Sequence, residues 1–303
     1  MGLSLSGATD LEAHGASAAH LATLADDLAT LLLIAGLRLG YGGTLDHGGT
    51  RTAGTNYTTR LFGLVRSYSP LTASGAGRIH PIENFVAWPR HLAFGDAELA
   101  QYGQEARLRR IPRPGDLCVT NAELGADPRG AFPPDSPIRR WAYARGLTAM
   151  REDMTLQINA RIALAGKLTG YSGLLPGVLE EILLARTRPA KRPVYLLGAF
   201  GGAARLAIDL IEQRTRAEAT TAWVTHQVTD HATLADEYRR RNDRFTTPED
   251  AAAALRALGL AGPAAALDNG LDDAHNRELF SATDSHRIVE LILTGLRRRF
   301  SRS

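Results

Sequence analysis

The chain has 303 residues, of which 44% are hydrophobic and 22% charged, and its formal net charge is +3. That length suits one large α/β domain or two small ones, and the composition is globular rather than disordered or fibrous. With 35 basic against 32 acidic residues a nucleic-acid partner is not expected. One cysteine rules out an internal disulfide framework, and the longest apolar run, Leu28 to Ala35, is too short to span a bilayer.

In chain order, Leu3 to Ser6 reads as a short strand that empties into a loop at Gly7. Residues 17–35 carry Ala18, Leu21, Leu24, Leu28 and Leu31 at helical spacing, and Gly36 closes that helix. Leu37 to Tyr41 is a second strand, ending at Gly42-Gly43, and the glycine-rich loop after it extends to about Gly54. Tyr57 to Ser67 reads as a helix, and a strand broken by Pro81 and Pro89 lies within Ile79 to Trp88. The apolar, β-branched run Leu117-Cys118-Val119-Thr120 reads as another strand, with Cys118 in the core.

The second half is more regular. Ile138 to Leu156 predicts a long helix, Arg161 to Ala165 a strand, and Pro176 to Ala185 a helix opened by a glycine-rich loop. Pro193 to Leu197 is a strand that breaks at Gly198 to Gly202, followed by a helix over Ala203 to Glu212. Beyond residue 215, Ala222-Trp223-Val224 fits an edge strand or a helix. Pro248 to Leu258 reads as an Ala-rich helix capped by Thr247, and Asp284 to Phe300 as an amphipathic one. The arginine clusters 239–241 and 297–299 fall where cations favour helix C-termini. Strands alternating with helices predict an α/β, Rossmann-like, mostly parallel sheet flanked by helices. The expected organisation is a domain over 1–215 and a mainly helical extension over 216–303 packed on it.

In such sheets ligands bind outside the carboxyl ends of the strands. Glycines at four predicted strand ends, Gly7, Gly42-Gly43, Gly166 and Gly198, therefore point to a ligand crevice. Neither a P-loop nor a G-x-G-x-x-G fingerprint is present, and no C-x-x-C or H-E-x-x-H marks a metal site. Asp46 and His47 lack further partners for a metal, and His80 and Glu83 read as structural. No cofactor is expected. The stretch G-K-L-T-G-Y-S-G-L-L-P-G-V-L-E-E at 166–181 leads a glycine loop into a helix N-terminus, which can hold a phosphate or a ribose hydroxyl. Glu180 and Glu181 sit in its first turns, where the helix dipole alone would also favour acids. Arg151, in Met150-Arg151-Glu152-Asp153-Met154, can meet a phosphate with two parallel bonds or pair with a neighbouring acid.

These stretches together, M-R-E-D-M, A-R-I-A-L-A-G-K and P-G-V-L-E-E, with L-S-L-S-G-A at 3–8, L-R-L-G-Y-G-G at 37–43 and P-V-Y-L-L-G-A-F-G-G-A at 193–203, resemble the SLOG superfamily over about residues 3–213. The nearest likeness is to the prokaryotic TRPM-like (LSDAT-type) SLOG proteins, with a more distant one to the LOG-type nucleotide phosphoribohydrolases. The resemblance implies a Rossmann-like fold and a nucleotide-derived ligand of ADP-ribose, cyclic ADP-ribose or NAD type. It also implies a sensor or signalling role, in some members within bacterial defence. The alternative it implies is hydrolysis of a nucleotide's N-glycosidic bond. Glu181 stands where the LOG motif has its important glutamate, whereas Val178 replaces the LOG threonine and Met150 stands in place of the LOG arginine. The implied catalytic residues are Glu181 and Arg151. The implied ligand-binding residues are Ser6, Gly7, Gly42, Gly43, Arg151, Gly166, Lys167, Gly177, Glu180, Glu181, Gly198 and Gly201. A cytoplasmic homodimer or higher oligomer, acting with a separate effector protein and without a membrane, is the expected setting.

Overall fold

The computed structural model describes residues 1–45, 55–68, 80–103 and 105–301. Asp46, His47, the rest of the glycine-rich loop up to Gly54, and Ile79 lie outside the described residues. Six strands, β1 (Gly2–Ser6), β2 (Leu39–Tyr41), β3 (Ile82–Val86), β4 (Arg107–Arg110), β5 (Arg161–Ala165) and β6 (Val194–Leu197), form one sheet in the order β4-β3-β2-β1-β5-β6. Every pairing is parallel. β1 is central, and its Ser4 lies opposite Ala163 in the ladder.

β5 and β6 read as apolar runs because helices cover both faces of the sheet there. Along β5 and β6 the side chains alternate between two cores. Ile162, Leu164, Tyr195 and Leu197 face one, with Leu3 and Leu5 of β1. Ala163, Val194 and Leu196 face the other. The first core is closed by α1 (Ala18–Ile34), α2 (Tyr57–Tyr68) and α12 (Ser285–Phe300). The second is closed by α5 (Gly177–Thr187) and α6 (Gly202–Ile211), with α9 (Pro248–Gly259) outside them. α4 (Pro137–Gln157) lies beside α5 and packs Leu147, Met150 and Met154 against Phe85 of β3. Helix α3 (Asp96–Gly103) precedes β4. The shorter α7 (Thr221–Gln227), α8 (His231–Arg240), α10 (Pro263–Leu267) and α11 (Asp273–Ser281) complete the chain.

Local signals set most boundaries. Ser17 and His20 form a capping box on α1, and Thr247 with Asp250 forms one on α9, whose first residue is Pro248. Asp284 caps α12. The arginines 239–240 and 297–299 occupy the last turns of α8 and α12. Ala222 to Val224, open between strand and helix on sequence, lies in α7.

Two expectations are corrected. Leu117 to Thr120 is not a strand: Leu117 and Val119 turn inward to Trp88 and Trp141, and their carbonyls accept from the Arg113 guanidinium rather than from a neighbouring strand. Cys118 therefore points outward and is exposed rather than in the core. The fourth strand is instead Arg107-Leu108-Arg109-Arg110, an edge strand with one neighbour whose charged side chains face solvent and acidic partners. Charged edges of this kind keep a sheet from pairing with other chains.

Candidate functional site

β2, β3 and β4 lie to one side of β1, whereas β5 and β6 lie to the other. That reversal makes a topological switch point between β1 and β5, where a crevice opens beyond the carboxyl ends. A cavity of about 200 Å³ sits there. Its walls come from Ser6 at the end of β1, Gly42 and Gly43 after β2, Val86 and Arg90 at and after β3, and Lys167 and Tyr171 after β5. Met150 and Arg151 of α4 and Gly177, the first residue of α5, close it.

The glycines have steric reasons to be there. A Cβ on Gly42 would lie 2.9 Å from Met150 Sδ, and one on Gly43 would lie 2.0 Å from Thr58 Oγ1. A Cβ on Gly177 would come 2.5 Å from Arg151 Nη2, so its absence seats that guanidinium at the start of α5. Gly166, at φ +102°, turns the chain after β5, and its N–H donates to Ser6 O at 3.0 Å. The Lys167 N–H donates to Ser6 Oγ at 3.2 Å, which joins the β1 and β5 loops.

Arg90, Arg151 and Lys167 line the cavity, and among the described residues no carboxylate does. Arg151 donates to Glu180, and its Nε lies 3.7 Å from Glu181 Oε1. Arg90 donates to the Thr44 hydroxyl and lies over the Tyr143 ring, 5.8 Å from its centroid. Burial, and then the charge of Arg151, hold the Arg90 guanidinium below its ordinary value, while Tyr143 acts the other way. The Tyr171 hydroxyl is buried with no hydrogen-bond partner among the described residues, and burial pushes its pKa up, so it stays a donor.

The two glutamates face inward. Glu181 accepts from Ser4 Oγ and from Arg161 beneath α5. Arg161 is fully buried and also donates to Ser4 Oγ at 2.6 Å and Thr155 Oγ1 at 2.9 Å. Glu180 accepts from Arg151 and from Thr148 Oγ1 at 2.6 Å. Glu180 lines a second cavity of about 860 Å³, bounded by α4, α5 and the segment 243–246. That space is larger, but its charges are of mixed sign and mostly already paired: Arg145 with Asp116 and Asp243, and Arg188 with Glu152. The smaller cavity at the strand ends is therefore the better candidate.

Of the residues singled out in the sequence, Ser6, Gly42, Gly43, Arg151, Lys167 and Gly177 meet at this cavity. Gly7, Gly166, Glu180, Glu181, Gly198 and Gly201 do not line it. Gly198 donates to Phe280 O at the end of α11, and Gly201 lies against Asp10, which accepts from Gly202 N at 2.9 Å. The β6 end is thus filled by other parts of the chain. Arg90, Thr44 and Tyr171 went unnoticed in the sequence. An arginine just after a strand and a tyrosine within the glycine loop were the only marks available.

A family model described as SLOG cluster2 matches residues 1–279. The chain belongs to the SLOG family. The match runs well past residue 215, through most of the later helices. SLOG proteins are associated with binding or processing nucleotide-derived ligands. Neither curated proteins nor solved structures gave a match. Among the described residues of this SLOG protein, no cluster of three His, Cys, Asp or Glu side chains could hold a metal ion. No helix among them is long and apolar enough to cross a membrane.

Proposed function

We propose that this SLOG protein binds a phosphate-bearing, nucleotide-derived ligand of ADP-ribose, cyclic ADP-ribose or NAD type at the strand-end cavity, as a sensor. The observation that carries this is a cavity at the switch point lined by cations and the first residue of α5, with no carboxylate among the described residues of its walls. A helix N-terminus and guanidinium groups together favour phosphate. The volume of about 200 Å³ is below the roughly 300–1,000 Å³ of sites that enclose a drug-sized ligand, so it suits the phosphate and ribose part of a nucleotide. In this reading Arg151, Lys167 and the α5 N-terminus hold phosphate, and the Ser6 hydroxyl and glycine loops approach the sugar.

Binding is favoured over N-glycosidic hydrolysis by the placement of Glu181. Its carboxylate is engaged by Arg161 and Ser4 and does not border the cavity, so it is poorly placed to stabilise an oxocarbenium-like charge. Self-association, a separate effector, a cytoplasmic setting and a role in defence belong to the same proposal, on the strength of the resemblance.

The test is to incubate the purified protein with NAD, ADP-ribose, cyclic ADP-ribose and nucleoside monophosphates and to analyse bound and free fractions by chromatography and mass. Retention of an intact ligand, weakened in Lys167→Ala, is expected. Release of free base that disappears in a folded Glu181→Gln protein would establish a hydrolase instead.

A further inference from the structure

The sequence points to Arg151 as the phosphate-binding arginine, and Arg151 shares its charge with two glutamates as well as the cavity. Arg151 and Arg161 face Glu180 and Glu181, two cations against two anions in one buried network. Arg90 is different. Among the described residues it has no carboxylate partner, and it is held only by the Thr44 hydroxyl and the Tyr143 ring. Lys167, on the far side of the cavity, also has no acidic partner among them. The uncompensated positive charge therefore sits on Arg90 and Lys167.

These two residues follow β3 and β5, three strand spacings apart, or about 14 Å between the strand axes at ~4.8 Å per spacing. Long side chains converging from both ends of such a cavity match an extended dianion better than a compact one. The stacked, planar Arg90 guanidinium is already oriented by Tyr143, so it loses little freedom on binding. Tyr171 lines the same cavity, and its hydroxyl, without a partner among the described residues, offers one neutral donor.

We propose that Arg90 is the second phosphate-binding arm of this site, opposite Lys167, and that the ligand presents a diphosphate to the pair. This rests on the reading of the cavity as a nucleotide site and adds the residue that meets the diphosphate opposite Lys167. Burial and the nearby Arg151 disfavour the charged form of Arg90, and a bound anion opposes both through its opposite charge.

The experiment is calorimetric titration of wild type, Arg90→Leu and Arg90→Lys with inorganic pyrophosphate and orthophosphate at matched ionic strength. Wild type should bind pyrophosphate, and Arg90→Leu should weaken it at least about tenfold, as expected for a lost charge-assisted bond. Arg90→Lys should recover part of the loss, which shows that the leucine variant has not merely misfolded. Orthophosphate should respond less to Arg90. Equal pyrophosphate affinity in wild type and Arg90→Leu, or no pyrophosphate binding by wild type, overturns the inference. Parallel titration with ADP-ribose and NAD separates the two readings. Nucleotide binding that ignores Arg90 sinks this inference and leaves the nucleotide site standing. Arg90-dependent pyrophosphate binding without nucleotide binding does the reverse.

Discussion

Replacing Glu181 with glutamine tests whether this carboxylate serves the framework or the ligand. Glu181 is 7% exposed and Arg161 0%. Burial pulls the Arg161 guanidinium below its ordinary value, Glu181 pulls it back up, and Arg151 opposes it. Glutamine keeps the volume and one acceptor oxygen but removes the charge that compensates Arg161. Breaking one side of a buried ion pair costs about 3–5 kcal/mol, because the remaining charge is left unpaired in the interior. An unfolding entropy of about 2.1 cal/mol/K per residue over 303 residues converts that to a Tm lower by about 5–8 °C. Thermal and urea unfolding followed by circular dichroism would measure it. The double variant Arg161→Met with Glu181→Leu should recover most of the loss, since an apolar pair of similar size leaves no orphan charge. If Glu181→Gln instead unfolds like wild type and loses only ligand binding or turnover, the framework role is wrong and the glutamate works on the ligand.

Three further outcomes are expected. His231 is buried with Nε2 3.1 Å from Leu174 O, and burial holds its pKa below the ordinary 6.5. Above 6.5 both folded and unfolded states are neutral there. As the pH falls below that value the unfolded state takes up a proton the folded state resists, so stability falls until the folded value is passed. The urea midpoint should drop as the pH falls below about 6.5, and less steeply in His231→Gln. Gly146→Ala should destabilise by about 1–3 kcal/mol, although alanine favours helix by roughly 1 kcal/mol, because overpacking wins. Its Cβ would lie 2.0 Å from the Trp88 carbonyl oxygen, and urea unfolding reads the balance. The single cysteine, Cys118, should react with a thiol reagent in the native state at a rate close to that of the unfolded chain. Protection until denaturation would contradict its exposed position.

The elements read most accurately from sequence are those whose signals are local. Thr247 before Pro248 fixes the start of α9, and Asp284 fixes that of α12. The apolar runs of β5 and β6 mark strands buried on both faces. The parallel sheet and the glycines at the ends of β1, β2, β5 and β6 follow from the same patterns. Residues 117–120 and 107–110 show the limit of that reading. The first has strand composition but no partner, and the second has charged composition but pairs along its length with β3. Pairing is a long-range event, so no window of sequence reports it.

The sequence by itself determined the layered α/β class, the Thr247 cap of α9 and the SLOG character of the glycine loops, because short-range chemistry and hydrophobic periodicity carry them. Only the tertiary structure decided how the charges are used. It spends Glu181 on Arg161 and Ser4, and Glu180 on Arg151 and Thr148. It fills the β6 end with Phe280 and Asp10, and leaves Arg90, from an unmarked turn, facing the cavity with no acid among the described residues. A charge acts through its nearest partners, and those come from residues up to 192 positions apart in the chain.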